Sequence, residues 1–308
     1  MCWRLRRYTA GTHAPRLGVD NQPYGKTSLA LDELAYDNFA YEHSVIGSME
    51  DLSAATVDDV AAFFKTYYAP NNAVVAIVGD VDTKTTLEKV RKYFGAIPSQ
   101  PQPPPVDMTE PPQTEERRAT IEDPLARLPR LDMAYKIPPA GSPDADALSV
   151  LASILSGGRS ARLYESIVRQ KQLSSGVSGF ASLSRGPGLF QFGGTPLPGK
   201  TPAELEAAIE EEIAKIQSAP IADWELQKAR NSARANFIGG LGSTLNRAIQ
   251  LSENALAFAD PGRINTRAAS IAKVTAADVQ RVAKKYLVTT NRTVIVTTPK
   301  AAAAKGVE

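Results

Sequence analysis

Residues 56–78 read TVDDVAAFFKTYYAPNNAVVAIV, and residues 275–297 read TAADVQRVAKKYLVTTNRTVIVT. The two stretches align without a gap at an offset of 219 residues (275 − 56 = 219). Such a match is typical of an internal duplication. The identical pairs that carry it are Thr56 and Thr275, Asp59 and Asp278, Val60 and Val279, Lys65 and Lys284, Tyr67 and Tyr286, and Asn72 and Asn291.

Both copies predict the same helix–turn–strand unit. Each begins with a threonine followed three residues later by an aspartate, which is the pattern of a helix capping box. An asparagine-containing turn then leads to β-branched runs at 74–78 and 293–296, which predict strands. The helices carry apolar residues at helical spacing: Val60, Phe63, Phe64 and Tyr67 in the first copy, and Val279, Val282 and Tyr286 in the second.

The remainder of the second copy mixes helices and strands without regular alternation. This order favours an α+β fold: a duplicated unit of antiparallel sheet flanked by helices, in which the first unit is incomplete. Strands are predicted at 119–121, 130–136, 176–183 and 188–193, and helices at 144–155, 160–170, 201–216 and from 221 into 229–238.

Proline-rich sequence divides the chain. Prolines in PSQPQPPPVDMTEPPQ (98–113) remove backbone donors and hold the chain extended, so residues 98–118 are predicted to be an interdomain linker. The predicted organisation is an anomalous, arginine-rich N-terminus at 1–18, the C-terminal half of a first unit at 19–97, the linker, a complete second unit at 119–300, and a tail at 301–308.

The offset also predicts that the first unit lacks its N-terminal half. The second unit begins near Ala119, 156 residues before Thr275 (275 − 119 = 156). A first unit of equal length would begin 156 residues before Thr56, about 100 residues ahead of Met1. We therefore expect a chain that is truncated, misassigned or frame-shifted at its start.

Composition excludes several classes of protein. The chain has 308 residues, with 35 basic and 33 acidic side chains and a net charge of +2. This balance gives no field that would attract nucleic acid or an anionic membrane. No apolar run approaches the ~18 residues of a membrane span. Cys2 is the only cysteine, so no internal disulfide can form.

The sequence contains no complete catalytic motif. A zinc peptidase of the H-E-x-x-H or H-x-x-E-H type needs two histidines one helical turn apart and a glutamate that activates water. The only histidines are His13 and His43, thirty residues apart (43 − 13 = 30). We therefore predict no catalytic residue, no metal ligand and no cofactor bound by this chain.

Several segments resemble the pitrilysin/insulinase family of zinc metallopeptidases, especially its smaller bacterial members, and they resemble mitochondrial processing peptidase of the same family. The resemblance covers about residues 19–300. The segments that carry it are VDNQPYGKT (19–27), HSVIGSMEDL (43–52), DVAAFFKTYYAPNNAVVAIVGD (59–80), ILSGGRSARLYESIVRQKQL (154–173), KVTAADVQRVAKKYL (273–287) and NRTVIVTTPK (291–300).

The resemblance implies a chamber around an extended peptide, formed by two α+β halves. Family members hold zinc through H-x-x-E-H near the start of the first half and a glutamate downstream of it. The missing stretch falls where the family keeps that motif. The first acidic residue of this chain is Asp20, so the downstream glutamate is absent as well.

The resemblance also implies one substrate-binding residue, Arg169. Family members often carry an arginine and, six or seven residues later, a tyrosine near the scissile bond, where both can stabilise developing oxyanion charge. The tyrosine positions are Ser175 and Gly176 here, so the pair is broken. Two roles for Arg169 remain open: contact with the substrate, or an ion pair on a helix surface.

The resulting functional hypothesis is a metallopeptidase homologue that lacks its zinc segment, contributes half of a peptide chamber and is inactive alone. The alternative is a non-catalytic or structural subunit that pairs with a zinc-bearing homologue. Expected partners are an extended peptide and either that homologue or a second copy of the chain, with no nucleic acid. Many bacterial relatives are exported, so the resemblance points to the periplasm, although no signal peptide is evident.

Overall fold

The computed structural model describes residues 18–45 and 47–300. The predicted N-terminal segment, apart from its last residue, and the predicted tail lie outside the described residues. The described part before the predicted linker contains no strand and includes a short 3₁₀ helix, Pro70–Asn72, and the α-helices α1 Gly25–Ala35, α2 Phe39–Glu42, α3 Met49–Ala54, α4 Val57–Tyr67 and α5 Thr83–Phe94.

The part after the linker forms an α+β unit. Its strands are β1 Arg117–Asp123, β2 Arg130–Ile137, β3 Ser174–Ser182, β4 Gly188–Pro196 and β5 Arg292–Pro299. Its helices are α6 Ala145–Ser156, a π-helical segment Tyr164–Gln170, α7 Pro202–Ser218, α8 Asp223–Gly240, α9 Thr244–Phe258, α10 Arg263–Lys273 and α11 Ala276–Tyr286. No helix within the described ranges is long and apolar enough to cross a membrane.

The five strands form one sheet in the order β1-β5-β2-β4-β3. The expected α+β class is confirmed, and the pairs β2–β4, β2–β5 and β3–β4 are antiparallel. The pair β1–β5 is parallel, with Ala119 opposite Ile295. Since β1 opens the unit and β5 closes it, the intervening chain is long enough for the crossover that parallel pairing requires.

One face of the sheet carries the main core. Helices α6, α7 and α11 cover this face, and their apolar stripes are buried against it. Burying a side chain of the size of leucine or phenylalanine contributes roughly 1.5–3 kcal/mol, so this layer supplies most of the unit's stability. Its largest fully buried members are Phe190, Phe192, Leu131, Met133, Leu148, Leu151, Leu155, Leu163, Ile167, Leu205 and Ile209.

The opposite face of the same sheet is covered by α1, a helix from the first part of the chain. Leu31 and Ala35 of α1 pack with Ile295 of β5 in a second buried cluster. At the start of the helix the hydroxyl oxygens of Thr27 and Thr297 share a buried hydrogen bond of 2.7 Å. The first unit therefore contributes a helix to the outer face of the second unit's sheet.

Charged groups attach the predicted linker to this arrangement. The buried ammonium group of Lys136 lies 2.5 Å from Glu110 and 3.0 Å from Asp37. The guanidinium of Arg117 also binds Asp37, and hydrogen bonds from Arg117 and Lys136 lower the pKa of Asp37 to about 2. The linker is extended until β1 begins, but Glu110 holds it against the second unit.

The two repeat copies have the same local structure. Thr56 and Asp59 form a capping box at the start of α4, and Thr275 and Asp278 form one at the start of α11. Both turns carry the same hydrogen bond as well. The amide nitrogen of Asn72 donates to the Tyr67 carbonyl at 2.8 Å, and that of Asn291 donates to the Tyr286 carbonyl at 2.8 Å.

The copies diverge after the turn. Residues 292–299 form β5 between β1 and β2, whereas residues 73–78 are extended but form no ladder with any described strand. The prediction of a strand at 74–78 is therefore wrong for the described chain. A β-branched run favours extended backbone, but a strand exists only where neighbouring strands accept its hydrogen bonds.

Candidate functional site

Arg169, the predicted substrate contact, lies on the π-helical segment. Its side chain is 65% exposed, and its guanidinium pairs with Glu165 one turn earlier, at 2.9 Å. The wider π turn is visible in the bond from the Lys171 amide to the Ser166 carbonyl, which spans five residues. The ion pair predicted as one alternative is therefore present, and the exposed guanidinium can exchange it for a ligand carboxylate or carbonyl.

The positions where family members carry a tyrosine lie at a bulge in an edge strand. The β3–β4 ladder is irregular between Ser174 and Val177, so Ser175 and Gly176 fall outside the regular pairing. The Ser174 hydroxyl secures the bulge by bonding to the Thr195 carbonyl at 2.6 Å. Bulges of this kind re-aim side chains, and this one leaves an exposed edge beside the π-helical segment.

Neighbouring basic residues anchor this region to the helices behind it. The guanidinium of Arg162 forms two 2.7 Å bonds with Glu225 at the start of α8, and this lowers the pKa of Glu225. Lys171 pairs with Glu211 of α7, and bonds from Lys171 and Lys215 lower the pKa of Glu211 to about 2. Arg162 and Lys171 thus fix the segment on which Arg169 remains exposed.

The described residues do not fit a zinc site. Within 18–45 and 47–300 there is no group of three or more histidine, cysteine, aspartate or glutamate side chains that could hold a metal ion. His43 follows α2, stacks on Phe39 with ring centroids 4.3 Å apart, and bonds through Nδ1 to the Phe39 carbonyl. Cys2 and His13 lie outside the described residues.

The second feature of interest is a surface that we name the exposed module, residues 57–97. Six of its apolar residues occupy positions whose counterparts are buried 219 residues later: Val60, Phe63, Phe64, Tyr68, Val74 and Val75. Phe63 on α4 is 53% exposed, whereas Val282, its counterpart on α11, is fully buried in the main core. The exposed apolar residues of the module are Val57, Val60, Phe63, Phe64, Tyr67, Tyr68, Val74, Val75, Ile77, Val81, Leu87, Tyr93, Phe94 and Ile97.

An open apolar hollow of about 610 Å³ lies within this module, between α4, α5 and the extended segment. An exposed apolar surface of this extent is typical of a site that contacts another molecule. The hollow offers packing but no catalytic group. Its lining includes Tyr67, Tyr68, Pro70, Val75, Phe94 and Ile97.

The exposed module was not among the sequence-predicted site residues. The internal repeat nevertheless pointed to this module, because the second copy buries Val282 and Val294, the counterparts of Phe63 and Val75. No described strand pairs with residues 74–78, and the equivalents Phe63 and Val75 stay 53% and 63% exposed.

Residues 54–233 match the protein family described as the peptidase M16 inactive domain, which is 180 of 308 residues (233 − 54 + 1 = 180). Over 290 residues the chain is 28% identical to the zinc protease PqqE of Helicobacter pylori, covering 92% of this chain and 64% of that protein. It is 24% identical over 277 residues to a probable mitochondrial-processing peptidase subunit beta of Arabidopsis thaliana, covering 84% of this chain and 51% of that protein.

The fold agrees with these relatives. The crystal structure of a protease from Helicobacter pylori superimposes with a TM-score of 0.89 at 26% identity, covering 96% of this chain and 72% of that one. The chain spans between half and two thirds of the length of the two curated relatives. Because the family match extends over more than half of its residues, the chain belongs to the family of the peptidase M16 inactive domain, as its resemblance to the pitrilysin/insulinase peptidases predicted.

Proposed function

We propose that this chain is the non-catalytic half of a zinc-metallopeptidase assembly and forms one wall of a chamber for an extended peptide. Another polypeptide, here called the partner, supplies the zinc site and the remaining strands of the first unit. The chain is inactive without it.

The exposed module is the single observation that supports this proposal most strongly. Its counterpart in the second unit, α11 with β5, is stable because strands on both sides and two helices bury it. Leaving the same apolar residues in water forfeits roughly 25 cal/mol for every Å² that is not buried. A partner that supplies the flanking strands recovers this free energy and closes the chamber.

The side chains of the described residues agree with an active site whose metal ligands lie on the partner. Peptide hydrolysis of the kind that the family resemblance implies would need a metal ion held by closely spaced histidine and acidic side chains. The described residues offer no such group. They do offer an exposed arginine, Arg169, and an edge strand, β3, which are groups that bind a peptide without cleaving it.

The first test uses the isolated chain. Zinc content after dialysis and cleavage of an unstructured, internally quenched peptide are measured together. The proposal expects no stoichiometric zinc and no cleavage. Stoichiometric zinc together with cleavage that chelation abolishes would contradict it.

The second test restores the partner. In the Helicobacter pylori zinc protease, the region that matches this chain is replaced by this chain, so that the rest of the protease is present in the same polypeptide. The proposal expects this chimera to bind zinc and to cleave the quenched peptide. A chimera that binds zinc but cleaves no peptide would favour a purely structural subunit, and one that does neither would contradict the proposal.

A further inference from the structure

A cavity of about 410 Å³ lies between the β3–β4 loop and helices α8, α9 and α10. Its size is within the range of roughly 300–1,000 Å³ that is usual for ligand sites. Three arginines border it: Arg185 from the loop, and Arg263 and Arg267 from α10. Because Arg263 and Arg267 are four residues apart, both lie on the same side of α10. The cavity shares no lining residue with the exposed module or with the π-helical segment.

Two of these three guanidinium groups have no acceptor in the described part of the chain. Neither Arg185 nor Arg263 forms an ion pair or donates a side-chain hydrogen bond to a described residue, whereas Arg267 pairs with Asp146 at the start of α6, at 2.6 Å. Arg162, in contrast, donates two hydrogen bonds to a glutamate. The N–H groups of Arg185 and Arg263 are therefore available to a ligand, and each guanidinium carries five of them.

The ring of Phe258 orients one of the available groups. The guanidinium carbon of Arg263 lies 3.9 Å from the ring centroid, which is a cation–π contact. Stacking occupies the face of the planar guanidinium and leaves its N–H edge free for hydrogen bonds in the plane. Phe258 and Phe237 both border the cavity, so cationic groups and aromatic walls occur together there.

The charge balance of the cavity favours an anion with one negative charge. Three guanidinium groups stand against two carboxylates, Glu253 on the wall and Asp146 beside Arg267, which leaves a net charge of +1. A carboxylate carries one negative charge and accepts two parallel hydrogen bonds from a guanidinium. A phosphate group carries nearly two charges and a nucleic acid carries a row of them, so both fit this balance less well.

We propose that this cavity binds a carboxylate of the peptide, with the apolar side chain next to that carboxylate packed on Phe237 and Phe258. The proposal rests on the proposed function, because it takes the ligand to be the peptide of the chamber. It adds a substrate class: peptides that present a carboxylate beside an apolar residue, either at the C-terminus or on an acidic side chain.

The position of Arg185 supports a peptide as the ligand. This side chain also borders a cleft of about 330 Å³, which is lined by Tyr67 and Asn72 of the first unit and by prolines of the linker. The cavity and the cleft therefore meet at Arg185, where the second unit approaches the first. An extended peptide that lies between the two units can reach the arginines from this cleft.

Binding of short peptides to the isolated chain tests the proposal, because every residue that borders the cavity belongs to this chain. Isothermal titration calorimetry compares three acetylated tetrapeptides that contain phenylalanine. The first has glutamine beside the phenylalanine and a free C-terminal carboxylate. The second is amidated and has glutamate in place of the glutamine, and the third is amidated and keeps the glutamine. At least one of the first two should bind about tenfold more tightly than the third, because hydrogen bonds to a charged group are stronger than neutral ones. The tighter of the two identifies the source of the carboxylate.

Two substitutions assign this preference to the cavity. Arg263→Gln and Arg185→Gln should each reduce the preference for a carboxylate at least about fivefold, because each removes a charged donor. Arg185 is exposed and has no ion pair with a described residue, so Arg185→Gln should leave the melting temperature unchanged. Arg247→Gln is the matched control, since Arg247 is an exposed arginine of α9 that does not border the cavity. This control should keep the full preference.

The outcomes that would overturn the proposal are equal or undetectable affinity for all three peptides, a preference that survives both cavity substitutions, and a preference that Arg247→Gln weakens as much as they do. Tighter binding of inorganic phosphate than of either carboxylate peptide would overturn it as well. These measurements involve neither the partner nor zinc, so such results would leave the proposed function standing. A chimera without zinc or activity would count against the proposed function instead.

Discussion

Val75 and Val294 occupy equivalent positions in the two copies of the repeat, yet their surroundings are opposite. Val75 is 63% exposed in an extended segment that pairs with no described strand, whereas Val294 is fully buried between β1 and β2. The helix caps and turns around the two valines are the same, so the difference lies in the strands that flank β5 and that no described strand provides for residues 73–78.

Truncating the two valines should therefore have unequal effects. Val294→Ala should lower the free energy of unfolding by about 1.5–3 kcal/mol, because it removes two buried methyl groups and leaves a cavity. Val75→Ala should change it by less than about 0.5 kcal/mol, as for most exposed sites. Urea unfolding of the isolated chain measures both, and equal losses would contradict this account of the exposed module.

The attachment of α11 to α6 should depend on Asp144. Burial alone would raise the pKa of this carboxyl, but hydrogen bonds from Tyr286, Arg281 and Lys285 outweigh it and hold the pKa below its ordinary value. Asp144→Ala should cost about 1–2 kcal/mol at pH 7. A lowered pKa contributes stability above the unfolded value of about 3.9, so the cost should vanish as the pH falls below it.

The control for this substitution is Asp58→Ala. Asp58 is exposed in the first turn of α4, and its replacement should change stability by less than about 0.5 kcal/mol at pH 7. If Asp144→Ala were equally mild at pH 7, the contacts between α6 and α11 would not depend on this carboxylate.

Asp32 of α1 should have the opposite pH dependence. Burial raises its pKa to about 6, so the folded chain favours the protonated form. Its stabilising contribution is complete below the unfolded pKa of about 3.9 and is lost as the pH rises through about 6. Asp32→Asn should match the wild type near pH 4 and melt at a higher temperature near pH 8. A difference in melting temperature that did not vary with pH would exclude this assignment.

The local elements of the fold could be predicted from the sequence because their signals are local. Thr201 with Glu204 and Thr275 with Asp278 form the capping boxes that begin α7 and α11. The packing of α1 could not be predicted, because its contact between Thr27 and Thr297 joins positions 270 residues apart. The residues that flank Thr27 and Thr297 in the sequence do not indicate that these two threonines lie together.

The candidate site was predictable only in part, for a similar reason. Resemblance placed Arg169 on a helix, but the π turn depends on the tertiary contacts of the segment with α7 and β3. The strand expected at 74–78 failed because strand formation depends on neighbours that β-branched residues do not encode.

Substitution of Arg169 should distinguish its two alternative roles. Arg169→Ala should change the stability of the isolated chain by less than about 0.5 kcal/mol, because its ion pair with Glu165 is exposed. In the chimera it should raise KM for the quenched peptide if the guanidinium binds substrate. Glu165→Gln, which breaks the ion pair and keeps the arginine, is the matched control. An unchanged KM in both variants would mean that Arg169 does not bind the peptide and serves only in the ion pair with Glu165.

Hydrogen exchange at the amides of residues 73–78, compared with those of 292–299, tests the central claim most directly. In the isolated chain the first segment should exchange rapidly, since no described strand bonds to it, while the second is protected within the sheet. In the zinc-binding chimera the first segment should become protected as the second is. Protection of 73–78 in the isolated chain, or rapid exchange there in a chimera that cleaves peptide, would contradict the claim that a partner completes the first unit.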